Sequence, residues 1–166
     1  YNRTWNLWRD TINEFKNQYA LGNVLNGTYP VNEAIINWPA HGAGNFTRNM
    51  APFVDVNGDN AYNYLDGDYP KIKGDECVYF IFNDNFIPHT YTVGAPMKVE
   101  VHGMPYSFEC TSMGDDSSIG NYTTFYHYDV FNRSTTNYNK VQIGWFCDMD
   151  LGFALDDYVG CDTTLN

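Results

Sequence analysis

The stretch "DVNGDNAYNYLDGDYP", residues 55–70, places hard oxygen donors at alternate positions. Asp55, Asn57 and Asp59 stand where a calcium loop carries its first three side-chain ligands. Ala61 would give its backbone carbonyl at the seventh position, and Asn63 occupies the ninth. Asp66 falls at the twelfth, and Asp68 lies two residues beyond it. Calcium takes about six to eight oxygens at about 2.3–2.6 Å, and a tight loop with Asp or Asn at every second residue supplies them. Two positions depart from the helix–loop–helix pattern. The sixth is Asn60 where glycine is usual, and the twelfth is Asp66 where glutamate is usual. Asparagine tolerates the left-handed conformation that the glycine would adopt, and Gly58 adds freedom nearby. Without a cation the clustered carboxylates would repel one another. The plainer alternative is a polar turn that spreads its acids into water. Magnesium suits the loop less well, because it keeps its waters and needs fewer protein ligands. "NMAP" precedes the loop and "GDYP" follows it, so no helices flank it. A static staple is expected rather than a sensor that swings two helices apart.

A second acidic cluster lies in "CDMDLGFALDDYVGCD", residues 147–162. Asp148 and Asp150 alternate at the end of a strand-like run, and Asp156, Asp157 and Asp162 follow on a segment able to fold back. A second calcium site and an ordinary surface turn are equally open readings here. A mixed case, with acids from both clusters sharing one region, is a further reading.

Other chemistries find less support. Glu76, Glu100 and Glu109 offer no carboxylate pair that stands out as glycosidase-like. The histidines at 41, 89, 102 and 127 have no HxH or HxxxH spacing and read as hydrogen-bonded or surface residues. There is no GxSxG elbow and no glycine-rich phosphate loop. The expectation is a chain that is not an enzyme.

The elements that must position the acidic loops read as follows. Thr4 is a good N-cap, and Trp5, Trp8, Ile12, Phe15 and Tyr19 recur at spacings of three and four, which predicts a helix over 4–18 with an aromatic core stripe. "VNEAIINWP" predicts a short helix ending before Pro39. "ECVYFIFND" is a strand run closed by Asn83 and Asp84. "PMKVEVHGMPYSFEC" alternates, with Gly103 and Pro105 suggesting a bend or bulge midway. "YTTFYHYDVFNRS" and "KVQIGWFCDMD" predict two more strands. The fold class expected is mainly β: an antiparallel sheet or β-sandwich with N-terminal helices and long metal-binding loops. One domain over 1–166 is expected, with a helical segment over 1–40, the calcium loop over 52–76 and a β meander with the second acidic loop over 76–166.

Composition narrows the classes of partner. The formal net charge of −11, with 9 Lys and Arg against 20 acids, argues against a nucleic-acid surface and against anionic lipid. Aspartate outnumbers glutamate by 15 to 5, and aspartate favours turns and oxygen-ligand loops over helices and strands. No apolar run is long enough to span a bilayer, and no signal peptide is recognisable. Cys77, Cys110, Cys147 and Cys161 lack zinc or redox spacing. They allow two disulfides in three connectivities, or free buried thiols. Sequons at Asn2, Asn26, Asn45, Asn121 and Asn132 carry little weight in so Asn-rich a chain.

The motifs "RTWNLWRDTINEFK", "EAIINWPAHG", "APFVDVNGDNAYNYLDGDYPKIKGDE", "YFIFND", "VEVHGMPYSF", "FNRS" and "GWFCDMDLGFALDDYVGCDTTLN" occur in that order. Together they resemble a family of large secreted and surface proteins of Bacteroidota, whose members commonly carry a C-terminal signal for type IX secretion and sometimes adhesion modules. The resemblance covers nearly the whole chain and carries no activity over. It favours Asp68 of "GDYP" over Asp66 as the late ligand. It also includes Cys161 but none of the other three cysteines, and this chain departs from it at Asn60, where glycine is frequent. It implies continuation beyond Asn166, hence a piece of a longer chain.

The expected function is a non-enzymatic calcium-binding module, extracellular or at the cell surface, with a structural or adhesive role there or in a secreted assembly or filament. Its expected partners are calcium ions and other copies or other surface proteins. The alternative is a carbohydrate-binding module or polysaccharide-hydrolase fragment with a glycan partner. An exposed Trp or Tyr beside an acidic cleft would favour it, with Trp5, Trp8, Trp38 and Trp145 as candidates.

Overall fold

The computed structural model describes residues 3–42, 50–90, 93–109 and 119–144. The chain forms two compact units, Tyr1–Ser134 and Thr135–Asn166. The first holds all the regular structure described below. The described part of the second, 135–144, has neither helix nor strand. The further strand expected from "KVQIGWFCDMD" is therefore absent from 140–144, and the rest of that run lies outside the described residues.

The chain opens with a strand, not a helix. Strand β1 spans Thr4–Trp8, and helix α1 follows directly over Arg9–Ala20. The first apolar residues fit two periods at once. Trp5, Trp8 and Ile12 suit a helix, while Trp5 and Leu7 alternate as in a strand. Tertiary pairing decides between them. β1 runs antiparallel to β4, Glu76–Asn83, with Trp5 opposite Tyr79 and Leu7 opposite Cys77. Trp5 and Leu7 are buried, and the Trp5 indole Nε1 donates to the Asn37 carbonyl at 2.7 Å. Thr4 therefore caps nothing, and the helix begins after Trp8 without a side-chain cap. Trp8 leaves the expected core stripe and is 46% exposed, while Ile12 and Phe15 face inward from α1.

The short second helix forms as expected. α2 spans Glu33–Ile36, and the Asn32 side chain caps it by accepting the Ala34 N–H at 2.8 Å. Two-residue strands β2, Phe53–Val54, and β3, Tyr69–Pro70, pair antiparallel and clamp the base of the acidic loop. β5, Val99–Ser107, and β6, Phe125–Asn132, complete a four-stranded antiparallel sheet in the order β1-β4-β5-β6. The architecture is mainly β and antiparallel.

The bulge expected near Gly103 does not occur. The β4–β5 register is the same on both sides of it, from Cys77 opposite Tyr106 to Ile81 opposite His102. Gly103 serves a different need. A Cβ there would lie 2.3 Å from the Phe80 ring, so glycine makes room for the aromatic on the adjacent strand.

One sheet face carries the core. Trp5, Leu7, Cys77, Tyr79, Ile81 and Met104 pack against Phe15 of α1, Val24, Ile35 of α2 and Trp38. Cys77 is a free, buried thiol, while the other three cysteines lie outside the described residues. Burial pushes the Cys77 thiol pKa up to about 12, with the Glu76 charge adding to the effect. No helix among the described residues is long and apolar enough to cross a membrane.

Candidate metal site

The acidic loop leaves β2 and returns to β3, so its two ends are held side by side. Between them the backbone folds around its own carboxylates. Asp55 accepts the Gly58 N–H on Oδ1 and the Asn60 N–H on Oδ2, both at 2.7 Å. Asn57 Oδ1 accepts the Asp59 N–H at 3.0 Å, and its amide donates to Asp59 Oδ2 at 2.9 Å. Asp59 Oδ1 accepts the Ala61 N–H at 2.7 Å. Asn60 adopts φ 62° and Gly58 φ 78°, so asparagine takes the left-handed backbone at the sixth position, as its chemistry allows. The Ala61 N–H first, and then the Asn57 amide, hold the Asp59 carboxyl below its ordinary range.

The later residues have different placements. Asn63 caps one turn of 3-10 helix, Tyr64–Asp66, accepting the Leu65 N–H at 3.1 Å while its own amide donates to Asp66 Oδ2 at 2.8 Å. Asp68 is fully buried. Its Oδ1 accepts the Val56 N–H at 2.8 Å and its Oδ2 the Asn63 N–H at 3.0 Å. One carboxylate thus ties the outgoing and returning arms of the loop together. Gly67 must be glycine to let this happen. Its φ is 92°, and a Cβ would lie 2.7 Å from the Tyr19 ring of α1.

Aromatics anchor the loop to the core. The Tyr62 hydroxyl donates to the Ile35 carbonyl at 2.6 Å, and its N–H donates to His41 Nε2 at 2.9 Å. Phe53 meets the Tyr62 ring edge-on at 5.4 Å. Burial, reinforced by the Asp68 charge, raises the Tyr62 phenol pKa well above its usual value. The Trp38 indole donates to the Pro52 carbonyl at 2.9 Å.

The donor set is oxygen throughout, which suits a hard cation. Each oxygen of Asp55 and Asp59 accepts one hydrogen bond and retains lone-pair capacity for a second partner. Among the described residues, however, no three His, Cys, Asp or Glu side chains are grouped as a metal cluster. A cation here would have to complete its shell with Asn57, backbone carbonyls such as that of Ala61, and water. Asp148, Asp150, Asp156, Asp157 and Asp162 of the second cluster lie outside the described residues.

Two further polar regions were not singled out by the sequence. Trp8, Arg9, Asp10, Asp75, Glu76 and Glu109 line a cleft of about 560 Å³. In it Arg9 Nε pairs with Asp75 at 3.0 Å. The second is on β5, where buried His102 bonds Glu100 at 2.8 Å and Arg133 reaches the same carboxylate at 2.7 Å. Burial opposes the Glu100 charge, but the hydrogen bonds from Arg133 and His102 win and lower its pKa. Residues i and i+2 of a strand share a face, so the Glu100–His102 pairing was legible once β5 was assigned. Its third member, 31 residues downstream of His102, was not. No protein-family model, curated protein or solved structure matches this chain.

Proposed function

We propose that the chain is a non-enzymatic, calcium-binding extracellular module of the secreted and surface type that its motifs resemble, with a structural or adhesive role. The observation that carries this reading is the fold of residues 55–61. Asp55, Asn57 and Asp59 are gathered by one tight turn, with asparagine in the left-handed position that such loops require. Asp55, Asn57, Asp59 and the Ala61 carbonyl would hold the ion, with Asn63 and Asp66 close by. Asp68 would act as the brace beneath them. The ion would neutralise the loop and fix it on β2 and β3, which hold its two ends.

Thermal melting tests this. An ion present at about a hundred times its Kd adds about 2.7 kcal/mol of stability. For a chain of this size that raises Tm by about 5–10 °C relative to EDTA. An unchanged Tm in EDTA sinks the proposal.

A second reading, a carbohydrate-binding module or hydrolase fragment, has one observation in its favour. Exposed Trp8 borders the cleft that also holds Asp10, Asp75, Glu76 and Glu109. Trp5 and Trp38 are buried in the core, and Trp145 lies outside the described residues. Glycan-array binding lost in Trp8→Ala, or turnover of a polysaccharide, would favour this reading over the first.

A further inference from the structure

The core face of the sheet changes character towards β6. Tyr79 of β4 sits between the Cys77–Tyr106 and Ile81–His102 pairs. Beyond it, His102 lies opposite Asp129 and Met104 opposite His127. The segment after β3 passes over this polar corner and leaves a pocket of about 250 Å³. Lys71, Lys73, Tyr79, His102, His127 and Asp129 line it.

Three features of the pocket bear on what it could hold. The Tyr79 hydroxyl is the one buried side-chain polar atom among the described residues without a hydrogen bond. Burial first, then the charges of Asp129 and Glu100, raise its pKa, so the hydroxyl keeps its proton. Lys71 and Lys73, two of only nine cationic side chains in a chain of net charge −11, are exposed and make no ion pair among the described residues. The Asp129 carboxylate is half-exposed and meets His127 at 3.3 Å. By contrast, Glu100 is already satisfied by Arg133 and His102.

We propose that this pocket binds a small hydroxylated carboxylate, with the carboxylate between Lys71 and Lys73, one hydroxyl accepting from Tyr79 and another donating to Asp129. A plain carboxylate leaves the buried Tyr79 hydroxyl unserved, and a neutral polyol offers no charge to the two lysines. The volume equals about eight waters and falls just below the roughly 300–1,000 Å³ of drug-sized sites. A single sugar-sized acid matches it.

An NMR titration of the calcium-saturated full chain with glucuronate, glucose and acetate tests this. Glucuronate should shift the resonances of Lys71, Lys73, Tyr79 and His127 with a Kd of about 1 mM, and glucose and acetate should bind at least about tenfold more weakly. Lys71→Ala with Lys73→Ala should weaken glucuronate about tenfold and leave glucose unchanged. Tyr79→Phe should weaken it about fivefold, the effect of one hydrogen bond, without lowering Tm. Equal responses to the three compounds, or none up to about 100 mM, a hundred times the expected Kd, would mean a water-filled pocket only. Unchanged glucuronate affinity in both variants would overturn the proposal. So would a Tyr79→Phe protein that melts well below wild type, since its hydroxyl would then have a structural partner.

Discussion

Replacing Asp68 by alanine removes both acceptors that tie the two arms of the acidic loop. The side chain is fully buried, and it takes the Val56 and Asn63 N–H groups at 2.8 and 3.0 Å. A hydrogen bond to a charged group contributes about 1.5–3 kcal/mol, and a buried donor left without a partner costs a similar amount. Two such bonds put the loss at about 3–6 kcal/mol, and water reaching the partly exposed loop side brings the expectation to about 3 kcal/mol. For a chain of this size Tm should fall by about 6–12 °C. In urea the midpoint should fall with the slope unchanged, because the surface exposed on unfolding is the same. Asp68→Asn keeps the shape and one acceptor but turns an N–H₂ towards the second backbone donor, so it should fall between wild type and alanine. An Asp68→Ala protein within about 2 °C of wild type, less than one kcal/mol on this scale, would refute the brace. The same melts separate bracing from metal binding. A loss equal in calcium and in EDTA belongs to the brace alone. A loss larger in calcium means that Asp68 also holds the ion.

Three other outcomes are expected. Asp55→Asn with Asp59→Asn should abolish the calcium-dependent rise in Tm while lowering the EDTA value far less than Asp68→Ala does, measured by scanning calorimetry, since Asp55 is half-buried and Asp59 exposed. Gly103→Val should cost about 1–3 kcal/mol in urea unfolding, because its Cβ would meet the Phe80 ring at 2.3 Å and must displace it. Cys77 should resist iodoacetamide at pH 8 in the native protein and react in urea, read by peptide mass mapping, because its thiol is raised from 9.0 to about 12. The sign of the linked pH effect follows. The unfolded chain loses this proton first, so its contribution to stability is full below pH 9 and fades as pH rises towards 12.

Strand runs dense in β-branched and aromatic residues were legible in the sequence, and so was the order in which they follow one another. "ECVYFIFND" and "YTTFYHYDVFNRS" contain β4 and β6 with the expected polar closures. "VNEAIINWP" was legible as a short helix ending before Pro39, and α2 forms there with Asn32 as its cap. Asn60 was read as able to take a left-handed backbone, and it does so. The first eight residues were misread because Trp5, Leu7, Trp8 and Ile12 satisfy both periods. Only the presence of β4 alongside chooses the strand. Gly103 was misread for a related reason. A glycine in a strand signals either a bulge or a close neighbour, and the neighbour here, Phe80, is supplied by another strand.

The acidic loop divides along the same line. Its oxygen donors and their alternation are properties of the sequence, since side-chain spacing along a tight turn is local. Which carboxylate closes the loop is not. Asp66 and Asp68 are two residues apart, and nothing in their spacing says that Asp68 turns inward, is fully buried and takes N–H groups from both arms. That choice depends on Gly67 fitting against Tyr19 of α1 and on β2 pairing with β3, contacts between segments distant in the chain. The pocket beside Tyr79 is likewise invisible in one dimension. Its lysines, tyrosine, histidines and aspartate come from four separate segments that share a corner only once the sheet has formed. Sequence determined the chemistry carried by each segment. Burial and long-range pairing decided which of those groups meet.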